Sequence, residues 1–143
     1  MFYGRSSHTI DEKGRLIIPS KYRNAVENTV VITQGLDGCL YGYTTETWKP
    51  LEDKLQKLPF ANKAARQLQR FMLSNAEYVD IDKQGRALIP QHLRTFAGLD
   101  KDVLILGAGT RFEIWDKDKY EGSNDDENMD AIAEQMADFF IEM

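Results

Sequence analysis

The sequence predicts an α+β fold, mainly β, in which two tandem copies of one small unit pack about a pseudo-twofold axis, with helices connecting them. Three observations carry this. Residues 10–23 (I-D-E-K-G-R-L-I-I-P-S-K-Y-R) and residues 81–94 (I-D-K-Q-G-R-A-L-I-P-Q-H-L-R) align without a gap at an offset of 71, with seven of fourteen positions identical. The copies stay parallel beyond the motif: Val30-Val31-Ile32 matches Val103-Leu104-Ile105-Leu106, Leu40–Tyr43 matches Phe112–Trp115, and Trp48 falls opposite Tyr120. A unit of about 45 residues buries too little surface to be stable alone, so two of them are expected to share one core.

Each copy opens on a short β-prone run, Thr9-Ile10 or Tyr78–Ile81, and reaches Asp-x-x-Gly. Glycine tolerates the positive φ of a tight reversal and aspartate can hydrogen-bond the turn backbone. Asp11–Gly14 and Asp82–Gly85 therefore read as hairpin turns, with Arg15–Ile18 and Arg86–Ile89 as returning strands. Pro19 and Pro90 lack an N–H, stop strand pairing and suit a helix start. Tyr22, Ala25 and Val26, and Leu93, Phe96 and Ala97, follow at helical spacing, and Gly98 stands where a C-terminal helix cap belongs. Phe2 and Tyr3 are expected to pack an N-terminal strand against the core. Between the copies, a helix is expected from Thr44-Thr45-Glu46, with Trp48, Leu51, Leu55 and Leu58 on one face and Pro50 in its first turn. Leu58-Pro59-Phe60 breaks it. A second helix starts near Asn62, with Ala65, Leu68, Phe71 and Met72 on one side and Lys63, Arg66 and Arg70 on others. Glu121–Asn128 reads as a flexible linker. Met129, Ile132, Met136, Phe139 and Met143 then form the stripe of an amphipathic, acidic C-terminal helix that docks on a neighbouring subunit or folds back.

The doubled D-x-x-G-R-x-x-I-P-x-x-x-R pattern resembles the SpoVT-AbrB type of DNA-binding domain, and two copies behind Met1-Phe2-x-Gly4 resemble the bacterial MraZ family of transcriptional regulators. The likeness runs from residue 1 to about residue 120. The resemblance implies a double-split, swapped-hairpin β-barrel and a closed ring of identical subunits. It also implies binding to short repeats in double-stranded promoter DNA ahead of division and cell-wall genes, the chain's own operon included. The expected division is a first SpoVT-AbrB-like repeat over 1–48, a helical connector over 49–76, a second repeat over 77–120, and an acidic linker and helix over 121–143. Family members often carry a basic residue at position 3, where this chain has Tyr3, with Arg5 nearby.

At 143 residues and 42% apolar content, the chain is expected to form one domain or two joined halves. No apolar run approaches membrane-spanning length and the first residues do not read as a secretion signal, so no membrane partner is expected. One cysteine, Cys39, cannot build a disulfide framework, which suits a reducing cytoplasm, where a DNA-binding protein would be nucleoid-associated. The net charge of −5 hides an uneven distribution. Residues 116–143 hold ten acidic and two basic side chains, and residues 1–115 hold 13 acidic and 16 basic ones. A local, steered DNA contact is compatible with that balance, while sequence-blind coating of DNA is less so.

For Arg15 and Arg86 two readings stand side by side. Each can brace its turn through an ion pair, with Asp11 and Asp82 respectively, or each can use its planar fork on guanine O6 and N7 in the major groove. Their matched places after the turn glycines favour DNA. Asp11, Gly14, Asp82 and Gly85 read as turn-structural. Lys13, and Lys83 beside the neutral Gln84, are candidate phosphate contacts, and Arg5 is a further candidate DNA-binding residue. Arg23 and Arg94 read as structural or phosphate-facing. His8 and His92 have no ligand-spaced partners, Cys39 reads as a small core residue, and Gly107-Ala108-Gly109 lacks the spacing of a nucleotide-binding loop. No catalytic residue, metal or cofactor is expected. The rival reading is an antitoxin-like protein-binding module that uses the acidic C-terminal segment.

Overall fold

The computed structural model describes residues 1–123 and 128–139. The first half runs β1 (Arg5–Thr9), β2 (Arg15–Ile17), α1 (Ser20–Val26), β3 (Thr29–Gln34) and β4 (Leu40–Thr44). The second repeats the order as β5 (Glu77–Asp80), β6 (Arg86–Leu88), α4 (Gln91–Ala97), β7 (Asp102–Gly107) and β8 (Phe112–Asp116). Helices α2 (Thr45–Gln56) and α3 (Lys63–Leu73) lie between them, and α5 (Lys117–Glu121) and α6 (Met129–Gln135) follow. The fold is mixed α+β, mainly sheet, with the repeated unit in tandem.

The two halves exchange strands. One sheet has the order β1-β7-β8-β4-β3-β5, and β2 and β6 form a separate two-stranded antiparallel ribbon. β1 of the first half is hydrogen-bonded along β7 of the second, from Arg5↔Leu106 to Thr9↔Asp102, while β5 lies along β3, from Thr29↔Asp80 to Ile32↔Glu77. The halves meet at the sheet centre, where Tyr41 faces Glu113, and again in the ribbon, where Leu16 faces Ala87.

This pairing qualifies the reading of Asp11–Gly14 and Asp82–Gly85 as hairpin turns. The reversals at Asp11 and Asp82 form, with Gly14 N–H donating to Asp11 O and Gly85 N–H to Asp82 O, both turn glycines at positive φ. The strands on either side of each turn, however, pair with the other half. A three-residue β2 has little ladder to offer, whereas β7 and β3 each give a whole edge of six residues.

Strand alternation sorts the apolar side chains onto two faces. On one side, Leu16, Ile18, Val30, Ile32, Ala87, Ile89, Leu93, Val103, Ile105 and Phe112 form a core that is closed to water, roofed by the ribbon and by α1 and α4. Fully burying one such Leu or Ile is worth about 1.5–3 kcal/mol. On the other side, Val31, Tyr43, Leu104 and Trp115 meet Trp48 and Leu55 of α2 and Met72 of α3. The connector helices thus cover the sheet face opposite the ribbon. Tyr120 of α5 packs on Trp115 at 5.0 Å between ring centroids, in a region of the second half that matches the Trp48 region of the first.

Helix ends follow local chemistry. Thr44 and Thr47 form a reciprocal capping box that starts α2 at Thr45, which puts Pro50 in the second turn and not the first. Asn62 caps α3 through Ala65 N–H, and Gly98 ends α4 in the left-handed conformation. Phe2 is buried and bridges to Gly109, but Tyr3 is 68% exposed, and its carbonyl accepts from the Tyr22 hydroxyl. Cys39 is buried, and burial pushes its thiol pKa up. The C-terminal helix forms over Met129–Gln135 with a short 3₁₀ turn to Phe139, and Met129, Ile132 and Phe139 are exposed. Met143 and residues 124–127 of the expected linker lie outside the described residues, and Glu121 ends α5. Among the described residues, no helix is long and apolar enough to cross a membrane.

Candidate nucleic-acid interface

Each motif turn is fastened by one carboxylate. Asp11 Oδ1 accepts from the backbone N–H of Lys13 at 3.0 Å and of Arg15 at 2.8 Å, and Asp11 Oδ2 accepts from Arg15 Nε at 2.6 Å. Asp82 repeats this with Gln84 N–H at 2.9 Å, Arg86 N–H at 2.9 Å and Arg86 Nε at 2.8 Å. The Arg15 backbone N–H does most to hold the Asp11 carboxyl below its ordinary pKa, helped by the Arg15 guanidinium and the Lys13 N–H. Arg86 and Gln84 act in the same way on Asp82. The aspartate therefore brackets the turn and orients the arginine at once. Among the described residues only Nε of each guanidinium is bonded, which leaves both terminal nitrogens of each fork open.

The ribbon holds the two arginines on one face. Backbone bonds run beyond the strands, from Ile18 N–H to Gly85 O and from Ile89 N–H to Gly14 O, each at 2.9 Å, so each turn is clamped to the other half. Arg23 and Arg94 complete the clamp from the helices. Arg23 Nε donates to Ile18 O and Arg94 Nε to Ile89 O, while each guanidinium lies over the turn glycine of the opposite repeat. A methyl group built on Gly14 would fall 2.7 Å from Arg94 Cζ, and one on Gly85 would run into Arg23. Arg23 and Arg94 thus have the structural role that was one of their two readings.

The ribbon's outer face is short and chemically defined. Leu16 and Ala87 point inward and are fully buried. Arg15, Ile17, Arg86 and Leu88 point outward, with Arg15 opposite Leu88 and Ile17 opposite Arg86. Lys13 and Lys83 are exposed in the two flanking turns, at non-equivalent positions, since Lys13 matches Gln84 and Lys83 matches Glu12. Arg5 stands apart. It lies at the far end of β1, with its guanidinium 5.3 Å from the centroid of the Tyr120 ring, on the face that the connector helices cover. Lys63 and Arg70 of α3 are exposed, and Arg66 donates to Phe60 O; all three belong to the helical layer opposite the ribbon. His8 bonds Ser6 at 2.8 Å and His92 lies 3.5 Å from Glu77. A shallow hollow lined by Ser7, His8, Thr9, Ile17, Asp102 and Lys117 flanks the ribbon.

Sequence reasoning singled out the arginines and missed Ile17 and Leu88. Strand alternation was the available signal: with Leu16 and Ala87 inward, their neighbours must face out.

The fold and site define a tandem-duplicated, strand-exchanged α+β protein with a two-stranded ribbon that displays two oriented arginines. Residues 1–71 and 72–140 each match the family model described as "MraZ protein, putative antitoxin-like". The chain belongs to the MraZ family. It is 53% identical over 139 residues to a protein of Acetivibrio thermocellus named transcriptional regulator MraZ, covering 96% of this chain and 97% of that one. Proteins of the same name from Ligilactobacillus salivarius (52% over 141 residues, 97% of this chain and 99% of that one) and Clostridium tetani (49% over 143 residues, 99% and 100%) are similarly related.

Proposed function

We propose that the chain is a sequence-specific, double-stranded-DNA-binding transcriptional regulator, with no enzymatic activity, whose β2–β6 ribbon enters the major groove. The observation that carries this is the pair of Nε-anchored arginines on one solvent-facing ribbon. A two-stranded ribbon fits a groove about 12 Å wide, and an arginine fork can bond guanine O6 and N7 together. Lys13 and Lys83, in the turns on either side, have the reach and charge for flanking phosphates. Arg5 would need a separate contact.

The finer reading follows from the same layout. β1 runs through the Asp11 turn into β2, and β5 through the Asp82 turn into β6, so the ribbon bridges the two edges of the six-stranded sheet. That continuity supports the swapped-hairpin barrel, with repeats over 1–48 and 77–120, a connector over 49–76 and a tail over 121–143. Two similar but non-identical halves suit head-to-tail contacts, which close into rings when the rotation allows. One ribbon makes few base contacts, so affinity would come from several subunits on repeated short promoter sites. The relatives' name supports transcriptional regulation, and the resemblance alone points to promoters ahead of division and cell-wall genes and to the nucleoid as the working place.

A gel-shift assay with promoter DNA upstream of the chain's own gene, in excess competitor DNA at moderate salt, tests the reading. Specific retention is expected; binding that competitor removes completely would sink it. The antitoxin-like alternative is favoured by one observation, the exposed Met129, Ile132 and Phe139 on an acidic helix, and by the family description. It predicts a protein partner whose capture needs residues 129–139 and no DNA.

A further inference from the structure

We propose that Ile17 and Leu88 are specificity-determining residues that read the 5-methyl groups of thymines, each beside an arginine that reads guanine. The inference rests on the DNA reading above and adds to it which bases the ribbon selects.

The outer face of the ribbon has four outward side chains, and half of them are aliphatic. Ile17 is 45% exposed and Leu88 54%, in a structure whose other strand aliphatics are largely buried in its two cores. They occupy equivalent places in the two repeats, so the exposure is a feature of the unit. Asp11 and Asp82 hold the arginines by Nε at the turns, and Ile17 and Leu88 stay open to solvent beside them.

The register makes two matched couples. Leu88 lies directly across from Arg15, and Ile17 directly across from Arg86. Directly opposed side chains start about 5 Å apart, and alternate residues on one strand about 6.8 Å apart. That second spacing spans about two base-pair steps of 3.4 Å each. All four side chains therefore fit one major-groove patch. Its acceptors for an arginine fork are guanine O6 and N7, and the apolar group its edge code provides is the thymine 5-methyl. An aliphatic side chain facing that methyl excludes water from both, while a cytosine in the same place leaves the protein methyls facing a polar edge.

The test uses the full-length chain and a duplex that it enriches from random double-stranded DNA. A second version of that duplex carries deoxyuridine for every thymine, which keeps pairing and removes only the methyls. The wild-type chain is expected to bind the deoxyuridine duplex more weakly, by about fourfold per lost contact, the equivalent of about 0.8 kcal/mol per buried methyl. The Ile17→Ser, Leu88→Ser variant should bind the thymine duplex weakly and no longer distinguish the two versions. Ile17→Leu with Leu88→Ile should retain the distinction, and light scattering should give all three proteins the same size. Equal wild-type binding to both duplexes overturns this proposal and leaves the DNA reading standing; failure to enrich any duplex overturns both. A serine variant that still prefers thymine would place methyl reading elsewhere. One that changes oligomer size would make the ribbon face a contact between copies; either result overturns the assignment.

Discussion

At the scale of single residues, the motif aspartate and arginine do separable work. Asp11 takes two of its three bonds from backbone N–H groups, so the turn stays bracketed when the Arg15 side chain is gone. Asp11→Ala removes all three bonds. Asp11→Ala is therefore expected to lower the melting temperature more than Arg15→Ala, as read by calorimetry. Arg15→Ala should keep fold and assembly while losing specific DNA binding. One bidentate arginine–guanine pair is worth about 1–3 kcal/mol, and an assembly engaging several repeats multiplies the loss. Arg86→Ala should act in the same direction. Full operator affinity in a folded Arg15→Ala, Arg86→Ala protein would move the DNA surface off the ribbon. The lowered Asp11 and Asp82 pKa values fix the sign of a pH effect. Their stabilisation is present above the ordinary carboxylate value of about 3.9 and is lost as the pH falls through the lower folded values. An acid titration followed by circular dichroism should show Asp11→Asn, Asp82→Asn losing less stability than the wild type over that range.

At the scale of elements, the ribbon is locked across the repeats. Gly14 sits at φ +90 under Arg94, and Gly85 at φ +81 under Arg23. Gly14→Ala is expected to cost about 1–2 kcal/mol from the left-handed backbone alone, and more because Arg94 must leave. Arg94→Ala in the same chain should recover the steric part but not the conformational part. Denaturant titrations of the four proteins check this, and strict additivity would mean that the two residues do not meet. The turns, both short helices and the strand runs were legible in the sequence, because glycine, proline and apolar spacing act locally. The strand partners were not, since alternation tells which face of Leu16 or Val30 is buried but not which edge receives the strand. The reach of Arg94 to Gly14 was hidden for the same reason, although both residues belong to the motif. The helix starts at Thr45 as its Thr44-Thr45-Glu46 signal indicates, and counting from there puts Pro50 sixth, in the second turn and not the first.

At the scale of the molecule, the sheet has two differently employed faces, and among the described residues α6 joins neither core. The ribbon side carries the oriented arginines, while α2 and α3 cover the other side, which also holds Tyr120 of α5 just ahead of the tail. α6 and the 3₁₀ turn after it leave Met129, Ile132 and Phe139 exposed. Residues 122–143 contain seven acidic side chains and no Lys or Arg, so removing them shifts the formal net charge from −5 to +2. A chain ended at Glu121 keeps every ribbon contact described above and loses a source of repulsion toward phosphates. Its specific DNA binding is expected to be unchanged or tighter. Any gain should be largest at low salt and fade as the screening length shortens toward about 8 Å at physiological ionic strength. Titrating wild-type and shortened proteins against one operator duplex over a salt series reads both effects, and light scattering on the same samples reports assembly. Loss of specific binding with the assembly intact would put the tail in the DNA site, against its charge. Loss of binding together with the assembly would instead make the exposed stripe a subunit contact, with the ribbon's own affinity too small to hold DNA alone.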